Sequence, residues 1–182
     1  MMKKSGWIKI VCMVLMLSIL VSAAGVAAAD QALLKLNFSK KTGLQFYLQE
    51  GGHGQLDYLN GTAVVDIYDP GMVEWAVQAY RTELTLTQGT TYELSFDMCS
   101  TADREVSLAF QHTGGDWHTY AAETFEVTKT MTRYTYKFKM DEKTDITSQL
   151  VFNMGWFESL MGTPAEKHHK ISIDNILLKV AE

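Results

Sequence analysis

Two amide side chains fall on the polar face of one predicted strand, where they could bind a ligand that carries hydroxyl groups. Apolar residues at every second position of 148–155 predict a strand with one face in a core. Gln149 and Asn153 therefore project from the other face, on either side of Val151. Planar amides both donate and accept hydrogen bonds, which suits a flat polar ligand such as a sugar. The strand pattern alone fits ordinary exposed polar residues better, so a binding role for the amides needs support from elsewhere in the chain.

Tryptophans outside the predicted core could supply stacking platforms for the same kind of ligand. Trp117 lies in the glycine-containing loop 114–120, where a tryptophan either binds a ligand or folds back onto the core. Trp75 begins an alternating run that ends at Tyr80. In a regular strand Trp75 and Gln78 face opposite ways, so we expect only one of them to line a groove.

The residue patterns of hydrolytic and metal-dependent enzymes are missing from the sequence. It contains no GxSxG, HExxH or phosphate-binding glycine loop, and no predicted strand carries carboxylates at alternating positions. The acids of 141–145 follow a strand in a polar stretch, and we expect them to be solvated. His168 and His169 lie between two lysines on opposite-facing positions, which argues against a metal site. We therefore expect a non-catalytic binding protein, with a small glycoside hydrolase or lyase as the alternative.

Short strands separated by turn residues account for the chain after residue 30. The stretch 75–97 is the clearest case, because Tyr92, Leu94 and Phe96 alternate with polar residues. Closely spaced glycines predict a loop at 50–54, and 99–103 has the composition of a polar turn. About nine to eleven strands without helical periodicity predict an all-β fold, a jelly-roll β-sandwich of two antiparallel sheets.

The first 29 residues have the pattern of a secretory signal peptide. Three lysines flank the start of an apolar run over 10–26, and Ala27, Ala28 and Ala29 supply the small residues of a cleavage site. A membrane anchor is the alternative interpretation, since the apolar run nearly reaches spanning length. We predict a signal peptide at 1–29, a domain at 30–182, and a secreted protein without membrane contact after cleavage.

Charge and cysteine content restrict the partners of the predicted mature domain. The predicted signal contains three of the 16 basic residues and no acidic residue, so the formal net charge changes from −5 to −8 after cleavage. A strongly acidic domain is a poor partner for nucleic acid or an anionic membrane. Cys99 is the only cysteine after residue 29, so no internal disulfide can form and stability depends on the core. We expect a monomer.

From about residue 60 onward, the chain resembles secreted carbohydrate-binding modules of families 4, 9 and 22. The matching segments keep their order and spacing: WAVQ at 75–78, LTQGTTYELSFD at 86–97, REV at 104–106, FEVT at 125–128, YTYKF at 134–138, LVFNMG at 150–155 and ISIDNI at 171–176. Residues 30–59 match these modules poorly.

The resemblance implies a jelly roll that binds β-glucan or xylan in a cleft across one sheet. It makes Gln149 and Asn153 cleft amides. The other positions that match cleft residues are the aromatic platforms Tyr47 and Trp117 or Tyr120, together with Trp75 and Gln78. Such modules usually accompany glycoside hydrolases, and no catalytic domain accompanies the region of resemblance in this sequence. We therefore expect a free-standing polysaccharide binder, or one that meets a glycoside hydrolase without a covalent link.

Many such modules hold a structural calcium through N-terminal residues and an aspartate of the last strand, which corresponds to Asp174. The acid that often follows the first strand is replaced here by Ser39. We expect that no cofactor is required, with a structural calcium at Asp174 as the open alternative. A cell-surface adhesive sandwich that binds protein is the remaining rival function, and it predicts a flat apolar patch instead of a groove.

Overall fold

A computed structural model describes residues 32–181 of the chain. The predicted signal peptide at 1–29 lies outside the described residues. Within 32–181, the structure contains no helix with the length and apolar character needed to cross a membrane.

Short strands make up most of the described chain. They are β1 (Ala32–Leu36), β2 (Gln45–Leu48), β3 (Gly52–Leu59), β4 (Thr62–Pro70), β5 (Val77–Leu86), β6 (Thr91–Ser100), β7 (Arg104–His112), β8 (Thr119–Val127), β9 (Thr132–Lys139), β10 (Asp145–Asn153) and β11 (His169–Val180). Three short 3-10 helices lie between strands, at Glu74–Ala76, Glu158–Leu160 and Pro164–Glu166.

The strands form two antiparallel sheets. One sheet has the order β3-β4-β11-β6-β9, and β1 also pairs with β11; the other has the order β2-β5-β10-β7-β8. Strands that are distant in sequence lie side by side in both sheets, as in β5-β10-β7, so the chain crosses repeatedly between the layers. The prediction of a jelly-roll sandwich is confirmed.

Alternating apolar residues fill the space between the two sheets. Tyr92, Leu94 and Phe96 of β6 are each at most 1% exposed, and Phe152 of β10 is fully buried opposite them. The rings of Phe96 and Phe152 meet edge to face with centroids 5.1 Å apart. Because the apolar face of β10 enters this core, its polar residues lie on the outer face of the sheet.

The glycine-rich segment 50–54 departs from the predicted loop, because β3 begins at Gly52. A Cβ at Gly54 would lie 2.6 Å from the carbonyl oxygen of Asp66, so glycine permits the close approach of β4. The predicted turn at 99–103 also starts too early, since β6 continues through Cys99 to Ser100. In both places strand pairing outweighs the local composition.

Candidate binding groove

A groove of about 1000 Å3 crosses the outer face of the sheet β2-β5-β10-β7-β8. Six amide side chains line it: Gln45, Gln49, Gln78, Gln111, Gln149 and Asn153. Four aromatic residues also line it: Tyr80 is partly buried, and Tyr47 (51%), Trp75 (49%) and Trp117 (53%) are half exposed. Six of the seven predicted binding residues therefore lie together, and Tyr120 does not lie with them.

Hydrogen bonds connect four side chains at one end of the groove. Gln78 Nε2 donates to Asn153 Oδ1 at 2.8 Å, and Asn153 Nδ2 donates to Ser107 Oγ at 3.2 Å. The Ser107 hydroxyl donates in turn to Glu74 Oε2 at 3.3 Å. Strand register brings these groups together, because Asn153 lies opposite Gln78 on β5 and opposite Ser107 on β7. The bonds fix the orientation of both amides.

Gln149 is the amide in the groove that is best placed to bind a ligand. It is only 4% exposed and lies opposite Gln111 on β7. No residue within 32–181 hydrogen-bonds to its amide, and that amide still reaches solvent in the groove. A ligand in the groove can therefore hydrogen-bond to this amide in place of water, without breaking a bond within the protein.

Trp75 lies in the 3-10 helix Glu74–Ala76 and not in a strand. Strand β5 begins at Val77, so strand alternation does not relate Trp75 to Gln78, and both side chains line the groove. The expectation that only one of them could do so is wrong. It assumed a strand that extended too far towards the N terminus.

Trp117 lies at the other end of the strands, in the loop between β7 and β8. Its backbone is left-handed, with φ of 54°, and its N–H donates to the carbonyl of Gly114 at 3.2 Å. His118 Nε2 lies 2.8 Å from a carboxylate oxygen of Glu142, and this contact raises the pKa of His118. The pair ties the loop that carries Trp117 to the connection between β9 and β10.

Tyr120 lies in a neighbouring depression of about 790 Å3. Its hydroxyl donates to Asp145 Oδ2 at 3.0 Å, and burial together with this contact raises the pKa of Tyr120 to about 12. Asp145 is 9% exposed. Burial alone would raise the pKa of Asp145, but hydrogen bonds from Thr147, His112 and Ser148 hold it well below its usual range. The expectation of a solvated acid is therefore wrong for Asp145, which anchors the start of β10.

The acidic side chains around Asp174 already have partners within the protein. Asp174 Oδ1 accepts the N–H of Asn175 at 2.7 Å. Its neighbour Asp97 lies opposite on β6. The Asp97 carboxylate accepts hydrogen bonds from Arg133 at 2.9 Å and from the side-chain amide of Asn175 at 2.8 Å. Within 32–181, no group of three or more His, Cys, Asp or Glu residues is arranged to hold a metal. A structural calcium at Asp174 stays an untested prediction.

Several residues that line the groove were not predicted from the sequence. Gln111 follows the inward-facing Val106, Leu108 and Phe110 on β7, so the alternation argument used for Gln149 would have found it. Further lining residues that were not predicted include Gln45, Gln49, Glu74, Tyr80 and Ser107. Glu74 could not have been found from strand alternation, because it lies in the 3-10 helix.

Amides and exposed aromatic rings in a groove across one sheet are groups that suit glycan binding. A family model described as a carbohydrate binding domain, CBM_4_9, matches residues 30–165, and the chain belongs to this family. Its members are binding modules, so the domain binds glycan and is not an enzyme. No curated protein sequence matches the chain.

Solved structures share the fold at low sequence identity. A structure described as "CBM4 structure and function" superposes with a TM-score of 0.67 at 18% identity, covering 84% of this chain and 96% of that one. The second N-terminal cellulose-binding domain of Cellulomonas fimi β-1,4-glucanase C gives 0.64 at 17% identity, covering 85% and 97%. The CBM22-1 xylan-binding domain of Paenibacillus barcinonensis Xyn10C gives 0.53 at 12% identity, covering 85% and 97%.

Proposed function

We propose that the protein binds a β-linked plant-type polysaccharide, β-glucan or xylan, in the groove across β2-β5-β10-β7-β8. Sugar rings stack on the exposed faces of Tyr47, Trp75 and Trp117, and hydroxyl groups bond to the amides between them. The observation that carries the proposal is Gln149, a mostly buried amide that is open to the groove and without a partner in residues 32–181.

Related structures support the choice of polysaccharide class. Two domains that share this fold are a cellulose-binding domain of a β-1,4-glucanase and a xylan-binding domain. Both ligands are β-1,4-linked chains whose pyranose rings have apolar faces, which suits three aromatic platforms in one groove. The dimensions also fit, because five strands at about 4.8 Å spacing give a floor about 19 Å wide, room for three to four sugar rings.

The proposal extends to the location, the partners and the oligomeric state of the protein. The signal peptide predicted at 1–29 exports the protein, and the module then works on extracellular polysaccharide, alone or beside a glycoside hydrolase. The domain folds as a monomer without a required metal. Tyr120 contributes indirectly, since its bond to Asp145 supports the strand ends beside the loop of Trp117.

Substitution of one platform and one amide tests the site. We expect Trp117→Ala to weaken binding about thirtyfold, because truncating an aromatic hot spot typically costs about 2 kcal/mol. Gln149→Ala removes one or two hydrogen bonds and weakens binding about fivefold. Affinity electrophoresis in gels that contain soluble β-glucan or arabinoxylan measures both effects.

Matched controls come from the outer face of the other sheet. Tyr68→Ala removes an aromatic ring of similar exposure (49%), and Gln55→Ala removes an exposed amide of β3. Both controls keep wild-type retardation. Retardation that is unchanged in Trp117→Ala and Gln149→Ala, on a polysaccharide that the wild-type protein binds, contradicts the assignment of the groove.

A further inference from the structure

The charge of the groove is carried by a single side chain. Glu74 is the only charged residue that lines the groove within 32–181, and no Lys, Arg or His of that range lines it. Glu74 forms no ion pair with any basic residue in the same range, and its side chain is exposed. A ligand in the groove therefore meets one negative charge without local compensation.

The hydrogen-bond chain beside Glu74 ends on its carboxylate. The amide groups of Gln78 and Asn153 and the hydroxyl of Ser107 each donate to the next member, and the chain ends on a Glu74 oxygen. The carboxylate oxygens of Glu74 and the carbonyl oxygen of Gln78 are left to accept, and the amides of Gln78 and Asn153 each keep one N–H that can donate. A ligand hydroxyl suits this end of the groove, because it can both donate and accept. A ligand carboxylate beside Glu74 would place two negative charges face to face.

The carboxylate is also held in place. The backbone of Glu74 accepts the N–H of Gly155 at 2.8 Å, and the neighbouring Ala76 N–H donates to Val73 at 3.0 Å within the short helix. The Ser107 hydroxyl orients the side chain towards the floor of the groove. The backbone at Glu74 is therefore fixed, and its carboxylate can swing away from a bound anion only by giving up the bond to Ser107.

We infer that the groove selects uncharged polysaccharides and rejects chains that carry carboxylate groups, with Glu74 as the residue that determines this selection. The inference rests on the proposed function, since it concerns which glycans occupy the same groove. It identifies the ligand class as neutral glucan or neutral, arabinose-substituted xylan, in preference to uronate-substituted xylan. The selection is electrostatic, so salt weakens it.

Polysaccharides that share a backbone and differ in charge test the inference. Hydroxyethyl cellulose and carboxymethyl cellulose of equal substitution form one pair, and arabinoxylan and glucuronoxylan form the other. We expect the wild-type protein to bind the anionic member of a pair about tenfold more weakly at low salt, and the ratio of the two Kd values to shrink at high salt.

The variant Glu74→Gln keeps the shape of the side chain and removes its charge. We expect it to bring the ratio of anionic to neutral Kd close to one, and any loss of affinity common to both polymers cancels in that ratio. Asp57→Asn removes the same charge from an exposed position on β3, in the other sheet, and keeps the wild-type ratio. This control separates Glu74 from the net negative charge of the protein.

Each outcome decides between the two proposals. A wild-type ratio near one, or a ratio that Glu74→Gln leaves unchanged, contradicts the charge selection and leaves the proposed function intact. A ratio that Asp57→Asn lowers as much as Glu74→Gln assigns the effect to net charge and also overturns the inference. Failure to bind any neutral polymer of either pair contradicts the proposed function itself, and the inference falls with it.

Discussion

Arg104 is a buried cation without a carboxylate partner in the described part of the chain. It is 3% exposed, and its Nη1 lies 2.6 Å from His169 Nε2. Because an arginine only donates, Nε2 of His169 accepts, and Nδ1 carries the proton that bonds to the carbonyl of Lys167 at 2.7 Å. Burial, with the charge of Arg104 acting in the same direction, lowers the pKa of His169 to about 4. The pair therefore requires a neutral imidazole.

This requirement makes stability fall in weak acid. The unfolded chain takes up the proton near pH 6.5 and the folded chain only near pH 4, so the unfolded state binds more protons between these values. The free energy of unfolding therefore has its full value above pH 6.5. It decreases as the pH falls towards 4, by at most about 3 kcal/mol. Urea unfolding across this range measures the slope.

Two histidine variants separate this effect from general acid sensitivity. His169→Gln can still accept from Arg104 and does not titrate, so we expect its slope to be much smaller. His53→Gln replaces an exposed histidine of β3 and keeps the wild-type slope. A slope in His169→Gln equal to that of the wild-type protein would refute the assignment. Buried carboxylates such as Asp145 and Asp66 have lowered pKa values, so their contribution is lost only at lower pH.

A contact between the 3-10 helix Glu74–Ala76 and the end of β10 places Trp75 and Glu74 at the groove. The N–H groups of Gly155 and Trp156, just after β10, donate to the carbonyls of Glu74 and Val73 at 2.8 and 2.9 Å. A Cβ at position 155 would lie 2.2 Å from the carbonyl oxygen of Val73. The short helix can therefore reach the end of β10 only because residue 155 is glycine.

Substitution of this glycine tests the contact. Gly155→Ala displaces the short helix, so we expect about 1–3 kcal/mol of lost stability and a weaker affinity for polysaccharide. Gly162→Ala is the control: Gly162 has open space for a Cβ and a left-handed φ of 74°, so the variant carries backbone strain without a clash. It loses about 1 kcal/mol and keeps its affinity. Equal behaviour of the two variants in thermal unfolding and affinity electrophoresis would show that the contact does not position the helix.

Strands with regular alternation of apolar and polar residues could be predicted from the sequence. Segments whose conformation depends on contact with a distant strand could not. Alternation in β10 and β6 correctly placed Gln149 and Phe96 on outer and inner faces. It failed at Trp75, where three residues of 3-10 helix break the period before β5. It also failed at β3, whose glycines are required by the close approach of β4 and do not signal a loop. Such contacts depend on strands that are distant in sequence.

For the whole molecule, the fold and part of the groove followed from the sequence. The jelly roll, the family and six groove residues were predicted, because strand period and segment order are local properties that a single chain displays. The separation of Tyr120 from Trp117 and the presence of Glu74 in the groove were not predicted. Both depend on how loops fold over strand ends, as with Trp117 at its left-handed φ of 54°.

The claim on which the account depends is that a polysaccharide occupies the groove across β2-β5-β10-β7-β8. Titration of the isotope-labelled protein with a β-1,4-linked gluco- or xylo-oligosaccharide, followed by NMR, tests it most directly. We predict that the indole signals of Trp75 and Trp117 and the side-chain amide signal of Gln149 shift together and saturate with one affinity. Shifts confined to the outer face of the other sheet, around Tyr68 and His168, would contradict the account.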